Sequence, residues 1–129
     1  MPASPFLMLL DDFSRASGLP RPEPDSEGFV TLGADDRVVH LRPSGDERYL
    51  EFFGSVGELP ANPDPSLLER LLEANLAWQG TRGATLGLDR NSRMLLLCRR
   101  IPQVGLQLAE FQQTLEDFFQ VLDDWANRL

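Results

Sequence analysis

The sequence contains a single histidine, His40, and a single cysteine, Cys98, which together could supply a nucleophile. In such a pair the imidazole takes the proton of the thiol and activates it. Cys98 ends the apolar run MLLLC, and apolar surroundings keep a thiol uncharged and unreactive. We therefore interpret His40 as a half-exposed strand residue, and we predict no catalytic residues.

Two further patterns could bind ligands. The segment Gly80–Gly87, GTRGATLG, resembles a phosphate-binding loop, but it has no lysine and leads into a strand rather than a helix. The pairs Asp35–Asp36 and Asp123–Asp124 could bind a metal, but adjacent side chains on a helix diverge by about 100° and a solvated face explains them better. One histidine and one cysteine are too few for an ordinary zinc site. The sequence thus predicts no metal, no cofactor and no enzyme activity.

Length and charge narrow the class of protein. The chain has 129 residues, which predicts a single domain over residues 1–129. Twenty acidic residues against twelve arginines give a net charge of -8. Such a surface repels phosphate backbones and anionic lipids, so we expect no nucleic-acid partner and no membrane insertion.

The expected compartment is the cytoplasm. One cysteine cannot form an intrachain disulfide, which fits a reducing environment. No apolar run approaches the ~20 residues that span a bilayer. The start of the chain, MPASPFLMLLDDF, also lacks the basic residues of a secretory signal.

Turn formers and periodicity predict three helices and five strands. Ser4 can cap the first helix, Pro5 fits its first turn, and Gly18 ends it. The other predicted elements are three strand-like runs (28–33, 37–42 and 48–56), a helix (65–79), a hairpin (84–102) and a final helix (107–128). The expected fold is α+β, with one antiparallel five-stranded sheet and three helices in the order α-β-β-β-α-β-β-α.

From Leu50 onward the sequence resembles the class I type III secretion chaperones, the Tir chaperone family. The resemblance rests on LEFFGSVGELP, LLERLLEANLAWQ, GATLGLDRNSRMLLLCRRIP and FFQVLDDWANRL. It implies a homodimeric cytoplasmic chaperone of a Gram-negative bacterium. Such a protein binds the N-terminal region of a secreted effector in extended form and keeps it competent for export. Contact with the ATPase of the export apparatus is left open.

The residues give an independent reason to expect a homodimer. The second helix has an apolar arc wider than one sheet contact needs, and the last strand is apolar on both faces. A single copy leaves one of these surfaces exposed, which usually marks an interface. The predicted interface residues are Leu68, Leu72, Leu76, Leu86, Leu88, Leu95 and Leu97, with Trp78 as an anchor and Asn75 pairing with its symmetry mate. Periodicity does not decide which face of the hairpin is the interface.

Effector binding is predicted at apolar residues that lie away from the expected core. An extended peptide can add to an open sheet edge and place its side chains in shallow pockets. The predicted effector-binding residues are Leu7, Met8, Val38, His40, Tyr49 and Phe52. Alternative functions are a regulatory protein of the same fold that sequesters a transcriptional regulator or anti-activator, a small enzyme that uses Cys98, and a stand-alone dimeric scaffold.

Overall fold

The computed structural model describes residues 4–129. Residues 1–3 lie outside the described residues. They begin the segment MPASPFLMLLDDF, for which the sequence predicts no secretory signal. Within residues 4–129 there are three α-helices and five β-strands in the predicted order. Their bounds are α1 Pro5–Ser17, β1 Val30–Ala34, β2 Arg37–Pro43, β3 Tyr49–Glu58, α2 Pro65–Asn75, β4 Thr85–Asp89, β5 Met94–Pro102 and α3 Leu108–Ala126, with a 3-10 segment at Leu76–Thr81.

The first helix has the predicted bounds. Ser4 occupies the N-cap position in an extended conformation, but its side chain makes no capping hydrogen bond. Pro5 takes the first turn, where a missing N–H costs nothing. Gly18, with a φ of 74°, ends the helix in the left-handed conformation that glycine adopts without a Cβ clash.

All five strands belong to one antiparallel sheet in the order β1-β2-β3-β5-β4. The helices cover one side of this sheet, called here the inner face, and they leave the other side, the outer face, open. Inward side chains are almost fully buried, as at Val39, Leu41 and Leu50. Alternate residues such as Val38 and His40 point to the outer face.

Helix α3 packs on the centre of the inner face. The ring centres of Phe111 and Phe118 lie 6.2 and 5.8 Å from the ring centre of Phe52. The side chain of Phe52 is fully buried. Gly54 permits this close approach, since a Cβ there would lie 3.0 Å from Leu122 Cδ2. Phe52 is therefore a core residue, and we remove it from the predicted effector-binding set.

The orientation of β5 settles a question that periodicity left open. Leu95 and Leu97 point to the inner face and are buried, while Met94, Leu96 and Cys98 lie half-buried on the outer face. Leu97 is paired with Gly54 across the ladder and is fully inaccessible. It cannot contact a second copy, so we also remove Leu97 from the predicted dimer interface.

Helix α2 is shorter than predicted. It ends at Asn75 rather than Gln79, and a 3-10 segment follows. Ala77 and Trp78 both have positive φ values, 53° and 55°, which turn the chain toward β4. Such conformations cost about 1–3 kcal/mol each for residues with a side chain. The cost must be offset by the contacts that this turn creates.

Candidate functional site

The outer edge of β1 has backbone groups free for pairing. Just before the strand, the N–H of Phe29 donates to Asp25 Oδ1 at 2.9 Å and its carbonyl accepts from the Asp25 N–H at 2.8 Å. Outward-facing groups recur at every second residue of an antiparallel edge strand, so those of Thr31 and Gly33 also face outward. No other group within residues 4–129 makes a hydrogen bond to them. This edge can therefore accept another strand.

A groove of about 600 Å³ runs beside this edge. It lies between β1, the segment that follows α1, and the exposed side of α3. Its lining residues are Phe13, Leu19, Pro20, Arg21, Pro22, Thr31, Leu32, Gly33, Ala34, Gln112, Leu115, Glu116 and Phe119. Leu19 is 61% exposed although it is apolar. The combination of an open strand edge and an adjacent apolar groove is the geometry that extended peptides bind.

Arg21 is the one basic residue of the groove lining. Its guanidinium donates to Asp11 Oδ1 at 3.2 Å and to Glu23 Oε1 at 3.4 Å. The hydrogen bond to Asp11 is the largest of the contacts that raise the pKa of Arg21. Asp11 and Glu23 are themselves outside the groove lining, most of which is apolar.

The structure does not bring the predicted effector-binding residues together. Val38, His40 and Tyr49 lie on the outer face of the sheet, whereas Leu7 and Met8 belong to the helix on the inner side. Leu7 is half-buried against the core and Met8 is 55% exposed. None of the five lines the groove beside β1. They remain predicted binding residues for parts of a ligand that extend beyond this groove.

The outer face carries an ion-pair network. Glu51 accepts hydrogen bonds from Arg100 Nη2 at 2.7 Å and from Arg42 Nε at 3.3 Å. The guanidinium of Arg42 lies 4.5 Å from the ring centre of Phe29, and that of Arg100 lies 4.7 Å from the ring centre of Tyr49. These hydrogen bonds, that of Arg100 first, lower the pKa of the Glu51 carboxyl from its ordinary value of 4.5.

Replacing Glu51 with glutamine should make the fold less sensitive to acid. Because the pKa of Glu51 is lowered in the folded state, its carboxylate stabilises the fold above pH 4.5. This stabilisation is lost as the pH falls through the folded-state pKa. Urea unfolding should therefore show wild type more stable than Glu51→Gln at neutral pH, with the difference shrinking below about pH 4. A difference that does not change with pH would contradict the network.

The two residues that could form a nucleophile pair do not meet. His40 and Cys98 both pair with Phe53, one on each side of it, so they are two strand spacings or about 10 Å apart. His40 Nδ1 is 2.9 Å from Thr31 Oγ1. Burial, and after it the charge of Glu51, raises the pKa of the Cys98 thiol. The arrangement favours an unreactive thiol.

One residue of the glycine-rich segment, Gly80, and one of the aspartate pairs, Asp123, have structural roles. A Cβ at Gly80 would lie 2.8 Å from the Cα of Ala74, so glycine lets the 3-10 segment pack closely on α2. Arg37 donates to Asp123 at 3.3 Å. Within residues 4–129, no three histidine, cysteine or acidic side chains are grouped so that they could hold a metal ion.

A second surface, the α2–β4 surface, consists of the exposed leucines Leu68, Leu72 and Leu88. Leu72 is 72% exposed. Between them runs an apolar groove of about 320 Å³, and Leu86 and Leu95 lie in its lining although both are almost buried. These two predicted interface residues belong to the core of one chain and offer a partner little surface.

The other predicted interface residues lie around the end of α2. Leu76, 73% exposed, lines a different cleft beside α3. Trp78 lies over β4, where its indole N–H donates to Thr85 Oγ1 at 3.3 Å. Neither residue lines the groove of the α2–β4 surface. They flank this surface rather than form its centre.

Asn75 has an intramolecular role that the sequence did not predict. Its side-chain N–H donates to the Leu86 carbonyl at 2.9 Å, and its side-chain oxygen accepts from the Leu86 N–H at 2.8 Å. Both ends of the carboxamide are thus occupied within one chain. Asn75 also lies in the lining of the groove of the α2–β4 surface, and its second N–H and second oxygen lone pair are not used by Leu86, so pairing with a symmetry mate stays a prediction.

The groove beside β1 was the main feature that sequence reasoning missed. Its lining comes from α1, the proline-rich segment, β1 and α3, and no periodicity within one element reveals such a site. The available signals were the exposed Leu19 after a helix-ending glycine and Phe119 beside the core stripe of α3. The sequence alone assigns no packing contact across the fold to either of these apolar residues.

Comparison with solved structures places the fold among chaperone complexes. A chain of the HopA1–SchA chaperone–effector complex is similar over 95% of this chain and 94% of its own length, with 22% identity and a TM-score of 0.79. A chain of the ExsC–ExsE complex is similar over 98% and 96%, with 23% identity and a TM-score of 0.79. A chain of the complex between the Yersinia pestis type III secretion chaperone SycH and a stable fragment of YscM2 is similar over 93% of this chain and 98% of its own length, with 22% identity and a TM-score of 0.74.

The sequence comparison is consistent with this fold. No curated protein sequence matches the chain. Within residues 4–129, no helix is long and apolar enough to cross a membrane. The profile of the Tir chaperone protein (CesT) family matches residues 8–126, nearly the whole chain and well beyond the part in which the quoted motifs lie. The chain therefore belongs to the Tir chaperone (CesT) family.

Proposed function

We propose that the chain is a homodimeric cytoplasmic chaperone of type III secretion. It binds the N-terminal region of a secreted effector, called here the cargo, in extended form and keeps it soluble and competent for export. Family membership supports this proposal, as does the fold shared with the HopA1–SchA chaperone–effector complex. The observation that carries it is the open edge of β1 beside an apolar groove.

The β1 edge suits an extended cargo. Thr31 and Gly33 each present an outward N–H and an outward carbonyl, so a cargo strand gains up to four backbone hydrogen bonds there. Side chains on one face of that strand point toward the groove, because successive residues of a strand alternate. Apolar cargo residues at every second position therefore fit best. Backbone pairing makes the affinity largely independent of the exact cargo sequence.

The α2–β4 surface supports the proposed homodimer. Exposed leucines around an apolar groove usually mark a protein interface, and in a two-fold dimer the same patch meets its own copy. A dimer carries two β1 edges. A cargo chain that binds both gains affinity through the raised effective concentration of its second segment.

Purification of the tagged protein from a secreting cell tests this function. The expected result is a co-purified exported protein whose N-terminal segment resists protease only in the complex. A ligand that is a regulator and is never secreted would instead establish the regulatory alternative. A protein that purifies without any protected ligand would contradict both functions. The same purification tests contact with the export apparatus ATPase.

Replacing Cys98 with serine should leave dimerisation and cargo binding unchanged. The thiol lies half-buried on the outer face, opposite Thr85 of β4, and Cys98 lines neither the groove beside β1 nor the groove of the α2–β4 surface. The measurement is cargo affinity and sedimentation of Cys98→Ser beside wild type. A loss of cargo affinity or of dimerisation in this variant would contradict this expectation and would give the thiol a role, as the enzyme alternative requires.

A further inference from the structure

The opposite edge of the sheet, β4, differs from β1 because its outward backbone groups are bound. Outward positions recur at Ala84, Leu86 and Leu88. Ala84 donates its N–H to the Thr81 carbonyl at 3.1 Å and accepts a hydrogen bond from Thr81 Oγ1. Leu86 has both groups bound by the carboxamide of Asn75. Only Leu88 lacks such a partner among the described residues.

The Asn75 carboxamide imitates a neighbouring strand. A carboxamide has one acceptor oxygen and a donor nitrogen, and here the two bind the N–H and the carbonyl of a single residue, as a paired strand does. The tight turn at Ala77 and Trp78 brings Thr81 to the same edge. Two strained residues are retained where they let the end of α2 cover β4.

We propose that Asn75 and Thr81 seal the β4 edge against strand addition. Unsealed edge strands pair with other chains and cause aggregation, and β4 is apolar at Leu86 and Leu88. Sealing leaves β1 as the only long open edge among the strands of residues 4–129, and it leaves the α2–β4 surface to bind a second copy through side chains. This inference rests on the proposed function, since it assigns the cargo strand to one edge.

Hydrogen exchange of the wild-type protein without cargo is the first test. Thr85 and Gly87 face β5, so their amides are expected to be protected by the ladder. The Leu86 amide should exchange about as slowly as the amides of Thr85 and Gly87. The Leu88 amide should exchange at least about tenfold faster than the Leu86 amide. Leu86 exchange as fast as that of Leu88 would overturn the proposal. Because no cargo is present, this result does not depend on the chaperone function.

The variant Asn75→Ala is the second test. Its Leu86 amide should exchange at least about tenfold faster than in wild type, and sedimentation velocity should show assemblies larger than those of wild type through pairing of exposed β4 edges. Val121→Ala is the matched control, because Val121 is a buried core residue of α3 that lines neither proposed surface. The proposal would be overturned if Asn75→Ala formed assemblies of the same size as wild type. It would also be overturned if the control formed assemblies as large as those of Asn75→Ala.

Discussion

Replacing Leu72 with aspartate should convert the dimer into a folded 14.5 kDa monomer. Leu72 is the most exposed leucine of the α2–β4 surface, and a two-fold interface contains it twice. Burying one leucine contributes about 1.5–3 kcal/mol. The paired loss therefore weakens dimerisation at least about a hundredfold, before the cost of burying two carboxylates is added. Sedimentation velocity at micromolar concentration measures the effect.

Val104→Asp is the matched control for this variant. Val104 is an apolar residue that is 82% exposed, and it lies in neither proposed surface. It should stay dimeric, and both variants should unfold as cooperatively as wild type. A Leu72→Asp protein that dimerises as tightly as the control would refute the α2–β4 surface as the interface.

Replacing Gly33 with proline should lower cargo affinity about tenfold or more while the chain stays folded. Proline removes the outward N–H of this position, and its ring obstructs the approach of an added strand. Edge strands tolerate proline where the N–H points to solvent, so the sheet itself loses no hydrogen bond. Calorimetry with the protease-protected cargo segment measures the affinity.

Gly33→Ala separates the backbone effect from the side-chain effect. A Cβ at this position would lie 3.8 Å from the Arg37 carbonyl oxygen and 4.0 Å from Val38 Cγ1, which are ordinary contacts. Alanine retains the N–H, so this variant should bind cargo nearly as well as wild type. Equal losses in both variants, or no loss in either, would show that the cargo does not pair with β1.

The order of helices and strands was predictable because its signals are local. Pro5 and Gly18 bound the first helix where expected, and turn formers separate the strands of both hairpins. A prediction of this kind needs only neighbouring residues. The α+β class with one antiparallel five-stranded sheet is accordingly confirmed.

The face of β5 and the end of α2 depended on distant residues. Both faces of β5 are apolar, and the inner one is set by Gly54, which lets α3 approach the sheet next to Leu97. Helix α2 ends at Asn75 because its carboxamide bonds Leu86, eleven residues away. The carboxamide therefore bonds β4 within the same chain, a role that helical periodicity alone does not reveal.

The candidate site was the least predictable part. Helix and strand patterns identify Met8 and Val38 only as apolar residues outside the core stripes, and these two residues lie on opposite sides of the sheet. The groove beside β1 depends on how α3 and the segment after α1 pack around one edge. The position of this groove follows from tertiary packing. The sequence signal for it is the place of β1 at one edge of the sheet.

Hydrogen exchange of the chaperone with and without its cargo tests the central claim most directly. A strand added at β1 should slow exchange of the Thr31 and Gly33 amides by at least about tenfold and leave Leu86 unchanged. Protection confined to α2 and β4, or none at β1 despite tight binding, would show that the cargo is held elsewhere.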